Sequence, residues 1–81
     1  MPINTTEDVL RLIHTALDAP LHPITIESTM EDFEEWDSLG HLGILAALDT
    51  AYEGRIGAIK EMGTARSVRE ILNLLTTHHL V

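Results

Sequence analysis

Apolar residues recur at helical spacing in three stretches of this chain. The first is Val9, Leu10, Ile13, Ala16 and Leu17, and their i, i+3, i+4 spacing predicts an amphipathic helix. Thr5 or Thr6 stands where an N-cap belongs, with Glu7 and Asp8 in the first turn where the helix dipole favours acids. The helix should stop near Asp18, because Pro20 and Pro23 cannot continue it. The second stretch starts after Asp37 or Ser38, either of which can cap it, and runs to about Glu53, with Gly54 ending it. Leu39, Leu42, Leu45, Ala46 and Leu48 are expected to form its buried side, with Ile44 and Tyr52 contributing. Gly40 and Gly43 lie inside it, each costing about 1 kcal/mol against alanine. They leave a bare patch open to close approach by a ligand or partner. The third helix is capped by Ser67, with Glu70 at the capping-box position. Val68, Ile71, Leu72, Leu74 and Leu75 give its core face.

Between these helices the pattern weakens. Residues 19–36 form a long connection with two prolines, an alternating Ile24-Thr25-Ile26 and an acidic run from Met30 to Trp36. Ile24, Ile26, Met30, Phe33 and Trp36 are expected to pin it to the helices. Ile24–Ile26 is also strand-like, though one short strand without a partner is unstable. Residues 55–66 suggest a short helix from Ala58 to Met62, closed by Gly63. The predicted fold is all-α: three main helices and a short one, with a long first loop.

The 81 residues make a single domain, too small for a typical active-site cleft and its scaffold. A net charge of −8, from 13 acids against 5 bases, argues against nucleic acid and anionic membrane surfaces as partners. It favours proteins with basic patches. With no cysteine there is no disulfide and no thiolate metal site. No apolar run reaches membrane-spanning length and no signal peptide is evident, so the expected location is the cytoplasm.

The candidate chemistry lies in Trp36-Asp37-Ser38-Leu39. It places a serine hydroxyl at a helix start, between an acid and an apolar residue. Nothing nearby looks able to activate that hydroxyl, so it reads better as a place of attachment than as a nucleophile. The plain alternative is that Asp37 and Ser38 are only an N-cap.

From these residues the chain resembles the acyl carrier and peptidyl carrier family. The likeness rests on Asp37-Ser38-Leu39 at the start of the second helix. It continues through Leu42, Ile44, Leu45, Ala47, Leu48 and Tyr52 to Ile56, and to the capped last helix at Ser67 and Val68. The resemblance implies a four-helix carrier bundle in which Ser38 receives 4′-phosphopantetheine from coenzyme A. A separate phosphopantetheinyl transferase would attach it. The arm would then hold an acyl or aminoacyl group as a thioester, visited by loading and acyl-transfer enzymes. It further implies that Asp37 helps to orient the site and that Leu39 offers partners an apolar foothold. His41, Ala46, Glu34 and Glu35 complete the expected recognition surface, and a monomer is the expected state.

The chain departs from fatty-acid carriers on the exposed face of the second helix. Two positions that are acidic in those proteins are Gly40 and Gly43, with His41 between them, and Asp49 and Glu53 are the acids that remain. Arg55 and Lys60 add positive charge. The acidity has moved to Glu27, Glu31, Asp32, Glu34 and Glu35 in the long connection. These differences point to a stand-alone carrier of a specialised pathway.

His41 stands three residues after Ser38, within reach on a helix face. A hydrolase reading of that pair fails for want of an orienting acid, an oxyanion hole and a pocket. The five histidines lack metal-ligand spacing, and a surface role is expected for all of them. The competing reading is a small acidic helical interaction module without covalent cargo.

Overall fold

The computed structural model describes residues 5–18 and 21–81. Among them the chain is helical, without strands: α1 at Thr6–Ala16, α2 at Ser38–Ala51 and α3 at Val68–Thr77. Three short 3-10 turns, Met30–Asp32, Ile56–Ala58 and Lys60–Thr64, fill the connections.

Each α-helix starts on a side-chain cap. Thr5 accepts from the Asp8 N–H, Asp37 from Gly40 and Ser67 from Glu70. These bonds satisfy amide donors that have no partner inside the helix. The predicted capping box at α3 is shifted by one residue, because Glu70 reaches back to the Arg66 N–H at 3.3 Å. Pro20 lies outside the described residues; within them α1 ends at Ala16, and Leu17 and Asp18 form a turn. After α2 the left-handed position is Glu53, at φ 56°, and Gly54 follows at φ 84°. Gly54 N–H closes back on the Asp49 carbonyl at 2.7 Å, so the glycine sits one residue later in the stop than expected.

The core draws from all three α-helices and from the connections between them. α1 and the turn that ends it supply Val9, Ile13 and Leu17, α3 supplies Val68, Ile71, Leu72 and Leu75, and the connection supplies Ile24, Phe33 and Trp36. Ile56, Ile59 and Met62 enter from the segment after α2. α1 packs on both α2 and α3. An isolated antiparallel bridge, Thr29 with Ser67, ties the long connection to the start of α3. It is flanked by Met30 N–H to Arg66 carbonyl at 2.8 Å and Val68 N–H to Ser28 carbonyl at 3.0 Å.

Four expectations change. Ile24 is buried, but Ile26 is exposed, because a turn follows at Ile26–Glu27 and the pair forms no strand. The predicted helix from Ala58 to Met62 is two 3-10 turns separated at Ile59, with Gly63 inside the second. The inward face of α2 is His41, Ile44, Leu48 and Tyr52. Leu39, Leu42 and Ala46 are exposed and Leu45 is half-buried. α2 is apolar nearly all round, so its composition does not choose a face. Finally, Gly40 and Gly43 do not form a bare patch. A Cβ at Gly40 would fall on the Glu35 carbonyl oxygen and meet Leu17 of α1, and Gly43 faces the Ala16 carbonyl. The close approach that the glycines permit is made by the chain itself. These two positions are therefore turned toward α1 and the connection, not toward a docking partner.

Tyr52 is buried with its hydroxyl unbonded among the described residues. Burial, and secondarily the charge of Asp8, push its ionisation above the ordinary value of 10.0. The folded state thus holds the phenol proton more tightly than the unfolded chain. The resulting stability is complete below pH 10.0 and is lost as pH rises through the folded value. Tyr52→Phe removes a buried hydroxyl that has no partner and is expected to be neutral, or stabilising by about 1 kcal/mol, near neutral pH. Thermal unfolding followed on either side of the tyrosine range should show the wild type losing more stability on the alkaline side than Tyr52→Phe. Equal losses would rule out Tyr52 as the source.

Candidate functional site

Ser38 is the first residue of α2 and is exposed. The cap belongs to Asp37, whose Oδ1 accepts from the Gly40 N–H at 2.8 Å. Among the described residues the Ser38 hydroxyl makes no hydrogen bond. This separates two residues that look alike in the sequence: Asp37 does the structural work and Ser38 is left free. The first turn of a helix also offers free N–H groups and the positive end of the dipole, an environment suited to a phosphate ester.

The start of α2 is held from three directions. Trp36, just before the cap, is 1% exposed. Its indole Nε1–H donates to His41 Nδ1 at 3.1 Å, across a distance of five residues. The two rings lie nearly parallel, at 14° with centroids 6.2 Å apart. On the far side His41 Nε2 lies 2.8 Å from the Met62 carbonyl oxygen, a contact spanning 21 residues. Since Nδ1 accepts from the indole, the ring proton resides on Nε2 and is donated to that carbonyl. The third restraint is the Glu35 carbonyl pressed against Gly40.

This overturns the surface role expected for His41. It is 6% exposed and takes no part in a recognition surface. Both of its ring nitrogens are occupied, so it has no lone pair to offer Ser38 as a base. The sequence did carry a signal. Residues immediately before the cap and four into the helix are those of a hydrophobic staple. Trp36 and His41 occupy those positions, in a version that adds a hydrogen bond. The partner Met62, 21 residues on, had no signal.

The remaining predicted recognition residues lie on the surface. Leu39 is 77% and Leu42 61% exposed, and Ala46 is exposed further along α2. Leu42, Leu45 and Ala46 line an open groove of about 440 Å³ against Ile56, Ile59 and Met62, with Asp49 and Lys60 also lining it. Glu34 and Glu35 form an exposed turn ahead of Ser38, with no ion pair among the described residues. Glu27 differs from the other acids of the connection, since Arg69 pairs with it at 2.7 Å. That exposed pair adds little stability, but it withdraws one acid from the surface available to partners.

No cluster of three or more metal-capable side chains occurs among the described residues. No helix there is long and apolar enough to cross a membrane. Comparison with protein-family models, with curated proteins and with solved structures finds no match for this chain.

Proposed function

We propose that this chain is a carrier protein of the four-helix carrier class, with Ser38 as the attachment point for 4′-phosphopantetheine. The observation that carries the reading is the division of labour at the start of α2. Asp37 spends its carboxylate on the cap, and Ser38, next in the chain, presents an unbonded, exposed hydroxyl. In the transfer, Ser38 Oγ bonds to the phosphorus that bears the pantetheine arm of coenzyme A. The phosphoanhydride bond breaks, adenosine 3′,5′-bisphosphate leaves, and the serine proton passes to the transferase or to solvent. Mg²⁺ belongs to that transferase. The attached arm ends in a thiol, which holds an acyl or aminoacyl group as a thioester.

The surface around Ser38 supports the same reading. Leu39 and Leu42 offer apolar contact, and Glu34 and Glu35 offer unpaired negative charge to a basic rim. The cargo-handling enzymes of a specialised pathway would dock here, on a monomer. The same features also favour a second reading, an acidic interaction module that carries nothing.

Intact-mass measurement separates the two. The purified chain is incubated with coenzyme A, Mg²⁺ and a broad-specificity phosphopantetheinyl transferase, with Ser38→Ala in parallel. The wild type is expected to gain one phosphopantetheine unit and Ser38→Ala none. Because the hydroxyl bonds to nothing, Ser38→Ala should unfold within about 0.5 kcal/mol of the wild type. A folded wild type that gains no mass would sink the carrier reading and leave the interaction module.

A further inference from the structure

The buried chain Trp36–His41–Met62 is not required by anything said so far of Ser38. A core position can be filled by leucine at no cost in hydrogen bonding. A buried imidazole instead demands a donor on one nitrogen and an acceptor on the other, each at fixed geometry. Here both demands are met, by partners from two different parts of the chain. The indole–imidazole bond joins the residue before the cap to the fourth residue of α2. Asp37 and Ser38 lie between those two points, so the bond closes a small ring around the turn that presents Ser38. Met62 then fixes that ring to the body of the protein through the Lys60–Thr64 turn.

We propose that His41 is the positioning residue of the Ser38 site: by holding Trp36 on Nδ1 and the Met62 carbonyl on Nε2, it sets the direction in which the Ser38 hydroxyl is presented. The inference rests on the carrier reading. His41 touches neither the arm nor the transferase. It acts through Trp36 and the first turn of α2, while the surface residues Leu39, Leu42, Glu34 and Glu35 govern encounter. The two roles therefore separate in kinetics. Loss of His41 lowers the turnover of bound carrier, and its affinity for the transferase stays as it was.

The test uses the full chain with the same transferase, coenzyme A and Mg²⁺, measuring kcat and KM for the carrier. The variants are His41→Leu, His41→Gln, Trp36→Phe and the double variant His41→Leu with Trp36→Phe. Each is first shown to be helical by circular dichroism. His41→Leu is expected to lower kcat roughly tenfold to a hundredfold, the scale of a misplaced reacting group, with KM little changed. His41→Gln should recover most of the loss, since its amide oxygen can accept from the indole and its NH₂ can donate to Met62. Trp36→Phe keeps an aromatic ring but removes the N–H while leaving the His41–Met62 bond, and should lower kcat in the same direction, by no more than His41→Leu. The double variant should lose no more than His41→Leu alone, because the bond that Trp36→Phe removes is already broken there. A folded His41→Leu with wild-type kcat, or with a loss confined to KM, would overturn the inference. Should His41→Leu not fold, wild-type kcat in Trp36→Phe overturns it equally. A wild type that gains no mass overturns the carrier reading and this inference together. A wild type and variants that load alike overturn only this inference.

Discussion

Gly40→Ala is expected to cost roughly 1–3 kcal/mol of folding stability, the range for forcing atoms into a filled site. Two effects compete at this position. Alanine is the better helix former by about 1 kcal/mol, which favours the substitution. Against it, the new Cβ falls on the carbonyl oxygen of Glu35, with Leu17 of α1 close behind. A carbonyl oxygen is backbone and cannot swing aside as a side-chain tip can. To make room, the Glu34–Glu35 turn must move, and that turn leads directly into Trp36 and the cap. The overlap therefore outweighs the propensity. Gly43→Ala in the same helix provides the control. Its nearest neighbour is the Ala16 carbonyl oxygen at 3.5 Å, an ordinary contact. There the propensity gain should prevail, raising stability by up to about 1 kcal/mol. Urea unfolding of both variants tests the pair. A Gly40→Ala variant as stable as the wild type would show that the Glu35 carbonyl does not hold α2 at this position.

The second large effect is expected from Trp36→Ala. Trp36 is the largest of the fully buried side chains, and truncating such a residue removes about 3–5 kcal/mol. The loss has a second part. His41 Nδ1 would be left without its donor in a site nearly closed to solvent, and an unsatisfied buried acceptor costs about 1–3 kcal/mol. A domain of this size has a total stability of about 4–12 kcal/mol. Trp36→Ala should therefore lose about 4–8 kcal/mol, a large part of the total, seen as a steep fall in the urea midpoint of the helical circular dichroism. Trp36→Phe incurs the unsatisfied acceptor but refills much of the volume, and should remain folded with a lowered urea midpoint. Equal midpoints for wild type and Trp36→Phe would show that the indole N–H bond contributes nothing to stability. That result would leave the positioning role of His41 to be judged by kcat alone.

These two positions also mark where the sequence stops being legible. Gly40 in the sequence is a glycine inside a helix, and its neighbours suggest only lost propensity or an open patch. The atom that makes it necessary, the Glu35 carbonyl, is set by how the connection turns back over α2. His41 reads as a surface residue beside a serine, because histidine is polar and the residues around it are apolar in every direction. Its burial depends on Met62, 21 residues away. Much the same holds for Leu39 and Leu42. Both are strong candidates for the core by composition, yet both face outward once His41, Ile44 and Leu48 are turned in. The irregular stretch after α2 is another case. Its 3-10 turns are short and lack the repeated periodicity that would announce them.

What the sequence determined by itself is what local bonds decide. The sequence narrows the caps to Thr5 or Thr6, to Asp37 or Ser38, and to Ser67; the ones used, Thr5, Asp37 and Ser67, each reach an N–H three residues on, a bond that needs no other part of the chain. α1 and α3 carry one apolar stripe each, so their buried faces follow from periodicity alone. The exposed serine at the start of α2 is legible for the same reason, because a cap and its next residue are a local motif. Only the tertiary structure decided the rotation of α2, the burial of His41 and the need for glycine at position 40. Each of these depends on which of several chemically adequate partners comes near. An apolar helix has no face of its own to prefer, so its neighbours choose for it.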